Sequence, residues 1–177
     1  MIEDLWIQGN RGIDAWKAAP LRDLVTHIVE RYHLEAREEM ARLETLAEEA
    51  GLLLGDGHPG LLEMRDEIGR FCKEFRAHMT MEERSIFPCL LDPAQGWVVG
   101  GHGELLPPLI KLLEDEHLAE TGLFRRLRAL AEGLRLPPEA QDLQGRLLQS
   151  AKAMEKSLQG HIFLENQVLY RRVLEAD

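Results

Sequence analysis

Cysteine is nearly absent. Cys72 and Cys89 are too few for a disulfide scaffold and neither belongs to a paired C-x-x-C unit, so reduced thiols are the expectation. Aromatic residues make up only 6%, and Val, Ile and Thr are sparse beside Leu, Ala, Glu and Arg, which disfavours strands and favours helices. No stretch approaches the roughly 18 uninterrupted apolar residues of a membrane span, and the first twenty residues hold neither a signal-length apolar core nor a basic leader. A cytoplasmic protein with no membrane association is expected. Basic residues are outnumbered, and the net charge of -10 argues against nucleic acid or an anionic membrane as the main partner.

What is present is helical periodicity. The 177 residues suffice for one domain with a full core, expected as an N-terminal arm over 1–19 and a bundle over 20–177. Leu24, Val25, Ile28, Val29, Tyr32, Ala36, Met40, Leu43 and Ala47 trace a first long helix ending near Gly51, with His33 on or beside its stripe. After the turn-rich Leu54-Gly-Asp-Gly-His-Pro59, a second helix runs to about Pro88, with Pro59 at its first position. The glycine-rich stretch 92–103 reads as a longer connection. Pro107 and Pro108 mark the start of a third helix ending near Gly133, and a fourth spans Glu139 to about Leu174. The expected fold is all-α, an up-down-up-down four-helix bundle.

Polar residues intrude into these stripes in a pattern. His161-Ile-Phe-Leu-Glu165 and His78-Met-Thr-Met-Glu82 each set a histidine and a glutamate four residues apart, ~40° apart around a helix and one turn above each other. Both pairs fall within apolar seams, where an ionised carboxylate costs several kcal/mol unless a positive charge compensates it. An offset of 84 residues relates His33 to His117, and an offset of 83 relates His78 to His161 and Glu82 to Glu165. The flanks repeat too: residues 78–91 and 161–174 share the His, the Glu, an aromatic nine residues after the His, and a final Leu. A repeated helix pair implies a pseudo-two-fold bundle with six donors around its axis. Four imidazoles and two carboxylates suit a dinuclear site of iron or manganese; magnesium and calcium prefer oxygen, and zinc usually takes four ligands. The matched positions of Glu82 and Glu165 predict equivalent roles.

On His27-Ile-Val-Glu-Arg-Tyr-His33, residues 78–88, Glu114-Asp-Glu-His117 and residues 161–169, the chain resembles the hemerythrin-like di-iron proteins over about residues 13–174. Within them it looks most like the group that repairs iron centres. The resemblance implies two Fe ions, carboxylate-bridged by Glu82 and Glu165 with an oxo bridge as an option, and Mn or Zn as substitutes. Its nitrogen ligands would be His33, His58, His78, His117 and His161. His58 comes from the resemblance alone, since the repeat puts a glutamine at its matched position 141. The chain departs from the repair group in having an arm too short for that group's small paired-cysteine domain. It departs from oxygen-carrying hemerythrins in having Thr121 four residues after His117 and Glu165 four residues after His161. His27 lies about 240° of helix from His33 and is expected beside the site or on the surface, as is His102.

The function implied by the resemblance is protection or repair of iron-sulfur clusters after nitric oxide or oxidative stress, by iron donation, with damaged iron-sulfur proteins as partners. The alternatives are an oxygen or nitric oxide binding or sensing protein and a di-iron nitric oxide or peroxide reductase. The chain is expected to act as a monomer or weak dimer.

Overall fold

The computed structural model describes residues 12–92 and 102–175. The expected connection over 92–103 and the first part of the arm thus lie largely outside the described residues. A short helix α1 (Ile13–Ala18) precedes four long ones. The first, α2, comprises α-helical Leu21–His27, π-helical Ile28–His33 and α-helical Leu34–Leu54. The second, α3, comprises Pro59–Met81, π-helical Glu82–Ile86 and Phe87–Leu91. Next come α4 (His102–Gly133), a 3-10 turn Pro138–Ala140, and α5, which comprises Gln141–Leu164, π-helical Glu165–Leu169 and Tyr170–Glu175. The long helices close a ring in which α2 packs on α3 and α5, and α4 packs on the same two. Among the described residues no helix is long and apolar enough to cross a membrane.

The boundaries depart from the sequence reading at three prolines. The third long helix begins at His102, so Pro107 and Pro108 lie inside it, and their missing N–H groups weaken only its first two turns. Pro88 does not end α3, because it falls just after a π segment, where the hydrogen-bond ladder is already stepped.

Two apolar clusters fill the bundle. One holds Met40, Leu43, Met64, Phe71, Phe75, Phe124, Leu147 and Met154, and runs toward the α2–α3 turn. The other holds Trp16, Leu24, Ile28, Phe87, Leu113, Val168 and Tyr170, and fills the opposite end. Each such side chain contributes about 1.5–3 kcal/mol through burial. Trp16 is buried in the second cluster, and Arg172 donates a 2.9 Å hydrogen bond to its carbonyl, so α1 is fixed to the bundle rather than loosely laid on it. Within each half a two-oxygen ion pair joins the helices: Arg76 to Glu44 at 2.8 and 2.5 Å, and Arg128 to Glu155 at 2.9 Å twice. Being partly exposed, each contributes up to about 1 kcal/mol.

Gly160 lets α5 approach α2. A Cβ there would stand 2.3 Å from Cε1 of Tyr32, whose ring occupies that space, and Ser157 donates to the Tyr32 carbonyl at 3.2 Å. The contact lies beside His33 and His161 and sets the separation of those two ligand helices. Both cysteines are free; burial pushes the Cys72 thiol up to about 12, so it is inert.

Candidate metal centre

Between the two apolar clusters lies one polar layer. His33 ends the π segment of α2, Glu82 and Glu165 begin those of α3 and α5, and His78 and His161 precede their glutamates by four residues. His117 comes from α4. π turns inside α-helices occur often at functional sites, and here each one carries a polar residue of the layer. His33, Glu82, His161 and Glu165 are fully buried, and His117 and His78 nearly so. One donor atom from each of His78, Glu82, His117, His161 and Glu165 lies within 4.8 Å of all the others. His33 joins through Nε2, 3.5 Å from Glu82 Oε2 and 3.7 Å from Glu165 Oε1.

These atoms satisfy one another only in part: His78 Nε2 and His117 Nε2 share a hydrogen bond at 3.1 Å, and the others share none. Glu165 Oε2 is 2.9 Å from His161 Nε2 and 3.1 Å from His117 Nε2, yet neither approach is aligned as a hydrogen bond. His33 Nε2, Glu82 Oε2, both nitrogens of His161 and both oxygens of Glu165 are buried without a hydrogen-bond partner. Unpaired buried polar atoms are costly, and so many in one place, with donor atoms converging, fit the residues to a bound cation. The rings group in two pairs at 4.8 Å between centroids, His33 with His161 and His78 with His117; other separations across the layer are 5.3 and 5.9 Å. Each pair draws one ring from each half of the repeat.

A second ring of contacts orients the imidazoles. His33 Nδ1 lies 2.7 Å from Glu83, His78 Nδ1 2.9 Å from Glu116, and His117 Nδ1 2.9 Å from Asn166. An Nδ1–H donated to those oxygens leaves Nε2 as the lone pair facing inward, the arrangement typical of metal-ligating histidines. The repeat extends to this ring, since Glu83 and Asn166 each follow the glutamate of their own half. Arg37, 2.9 Å from Glu83, balances its charge.

Without a cation, the positive charge the carboxylates need comes from protons. Burial pulls His78 down, but the negative charge of Glu82, 3.3 Å away, with Glu120 and Glu165 beyond it, lifts it to about 10. His33 and His117, also pulled down by burial, are raised chiefly by Glu165. His161 is lowered, because its complete burial outweighs Glu165, and Glu165 is held low by His161 and other imidazoles against the effect of burial. A group raised in the folded state contributes stability that is complete below its unfolded value and is lost as pH rises through the folded one. The cation-free protein is therefore expected to lose melting temperature between pH 6.5 and about 10 through His78. Thermal melts in chelator across that range check this; a flat profile, or one unchanged by His78→Gln, would contradict it.

The sequence reading missed several residues here. Glu120 is buried beside His78, 3.7 Å from its Nδ1, with one oxygen unpartnered, and burial pushes its carboxyl up to about 7. Its place three residues after His117, on the same helix face, was the available signal. Tyr170 donates a 2.8 Å hydrogen bond to Glu82 Oε1. His58 is a correction. It stands just before Pro59 at the start of α3, and the 20 residues to His78 span about 30 Å of helix, so the structure does not bring it to the cluster. The turn it belongs to lies at the far end of the bundle and cannot close over the site. His27 stacks on Trp16 at 4.4 Å, and His102 opens α4 roughly 22 Å of helix before His117.

Residues 24–173 match the family model described as the hemerythrin HHE cation binding domain. The iron-sulfur cluster repair protein DnrN of Neisseria gonorrhoeae is 35% identical over 166 residues, covering 91% of this chain and 96% of that protein. The iron-sulfur cluster repair protein YtfE of Salmonella newport is 28% identical over 162 residues, covering 92% of this chain and 70% of that protein.

Proposed function

Because this chain belongs to the hemerythrin HHE cation-binding family, we propose that its polar layer holds two irons and that it repairs iron-sulfur clusters by giving iron up to them. The observation that carries this reading is the set of six buried donors, several of them without hydrogen-bond partners, grouped as two ring pairs with both carboxylates between. One tetrahedral cation would use four of them. All six donors lie in one chain, so no partner subunit is needed to complete the site. The relatives named as iron-sulfur cluster repair proteins support damaged iron-sulfur proteins as the recipients.

Iron supplies redox change and affinity for small diatomic molecules such as nitric oxide. The protein's own residues hold it, orient it and exclude water. The two apolar clusters close the layer on either side along the bundle axis. Glu165, whose oxygens have no hydrogen-bond partner, can change its hold without breaking a hydrogen bond. His78 keeps a slight exposure while His33 and His161 have none, which makes the His78–His117 pair the one nearer solvent.

The test is transfer. Iron-loaded protein is expected to restore activity to an iron-sulfur enzyme inactivated by nitric oxide, with matching loss of its own iron. It should also yield iron to a moderate chelator faster when reduced than when oxidised. Stable, reversible oxygen binding with slow iron loss in both states and no reactivation would instead make it a carrier or sensor.

A further inference from the structure

The internal repeat breaks at one oxygen atom. Phe87 and Tyr170 occupy matched positions, each nine residues after the second histidine of its half. Phe87 stacks on His33 at 5.9 Å and 25°, and Tyr170 on His117 at 6.2 Å and 11°, so each covers the first histidine of its own half. Both are buried, and they differ only by the hydroxyl that Tyr170 directs to Glu82 Oε1 at 2.8 Å. Phe87 has nothing to offer Glu165, and neither Glu165 oxygen has a hydrogen-bond partner.

The carboxylates face the rings differently as well. Glu82 Oε2 is its nearer oxygen to His78, His33 and His161, at 3.3, 3.5 and 4.0 Å from their Nε2 atoms, whereas Oε1, which takes the Tyr170 hydroxyl, is the nearer to His117, at 4.0 Å. Glu165 uses both oxygens: Oε1 faces His33 at 3.7 Å, and Oε2 faces His161 and His117 at 2.9 and 3.1 Å. We infer that Tyr170 is a positioning residue that makes the two repeat-related carboxylates inequivalent, fixing Glu82 with Oε2 as its one oxygen toward the cations while Glu165 keeps both. The equivalence expected from the repeat holds for position but not for surroundings. Burial and the neighbouring carboxylates push the phenol well above its ordinary range, so the hydroxyl stays a donor. This inference rests on the two-cation reading of the site but not on iron donation.

Tyr170→Phe tests it, because Phe87 shows that the bundle accepts a phenyl ring at this register. Cation-stripped protein would be titrated anaerobically with Co(II), and its carboxylate stretching bands read by infrared difference spectroscopy with carbon-13-labelled glutamate. Wild type is expected to take up two Co(II) in two steps and to show two distinct bound-carboxylate signatures. In Tyr170→Phe one of the two cations should bind roughly 10- to 100-fold more weakly, the loss typical of removing an outer hydrogen-bond partner, and the two signatures should converge. Phe87→Tyr, which places a hydroxyl opposite Glu165, should also bring the signatures together. Unchanged affinities and bands in both variants would overturn the role given to Tyr170 while leaving the two-cation site standing. Fewer than two Co(II) bound by wild type would overturn the site reading itself, and this inference with it.

Discussion

Glu165→Ala is expected to reduce bound iron from two per chain to one or none, with affinity falling by more than about 100-fold, beyond the loss typical of an outer partner. The reason is position. Glu165 is the residue whose two oxygens reach His33, His117 and His161, so it touches both ring pairs. Without Glu165 the imidazoles that it raises can lose their protons rather than stay as unpaired buried charge, so the cation-free variant should remain folded near neutral pH, separating loss of binding from loss of structure. Elemental analysis of protein made in iron-rich medium, with Mössbauer spectra, gives the measurement. His58→Ala, altering a residue about 30 Å of helix from His78, serves as the control and should bind like wild type. A Glu165→Ala protein that kept two irons and the wild-type spectrum would sink the assignment.

Cation binding should also dominate thermal stability. The cation-free layer holds two buried carboxylates against four imidazoles with many atoms unpaired, so a ligand that binds only the folded state has much to compensate. With free cation at about a thousand times its dissociation constant, linkage gives roughly 4 kcal/mol. For a chain of this size that is about 8–16 °C in melting temperature. Differential scanning calorimetry with iron or Co(II), then after chelation, should show a rise that reverses. A melting point indifferent to bound cation would mean that the ions sit elsewhere, at the surface.

The bundle and the heart of its site were legible in the sequence because both rest on periodicity. His33, His78, Glu82, His117, His161 and Glu165 each interrupt an apolar stripe, and the repeat shows the interruptions twice. The structure brings those six together. His58 was not legible from the residues; it entered through resemblance, while the length of helix between it and His78 already argued against it. Glu120 and Glu116 were hidden in an acidic run that reads as a solvated face, and only the packing of α4 against α3 turns them toward His78. The matched aromatics were visible, but which way a hydroxyl points depends on two helices meeting. The π segments had no local signal, because the preferences of single residues do not distinguish a hydrogen bond closed over five residues from one closed over four.

Those π segments have a consequence for helical phase. Each holds one residue more than an α-turn, so everything after it is turned by about 100° relative to an uninterrupted helix. In α3 and α5 the extra residue falls between the histidine that faces the layer and the aromatic that covers it. Site and cover are thus set in independent phases on one helix, joined by a one-residue slack. Loss of a single codon within residues 83–86 or 166–169 would restore an ordinary helix and keep its length and apolar content nearly unchanged. It would swing Phe87 or Tyr170 off its imidazole, leaving a bundle that folds around a layer with one side uncovered.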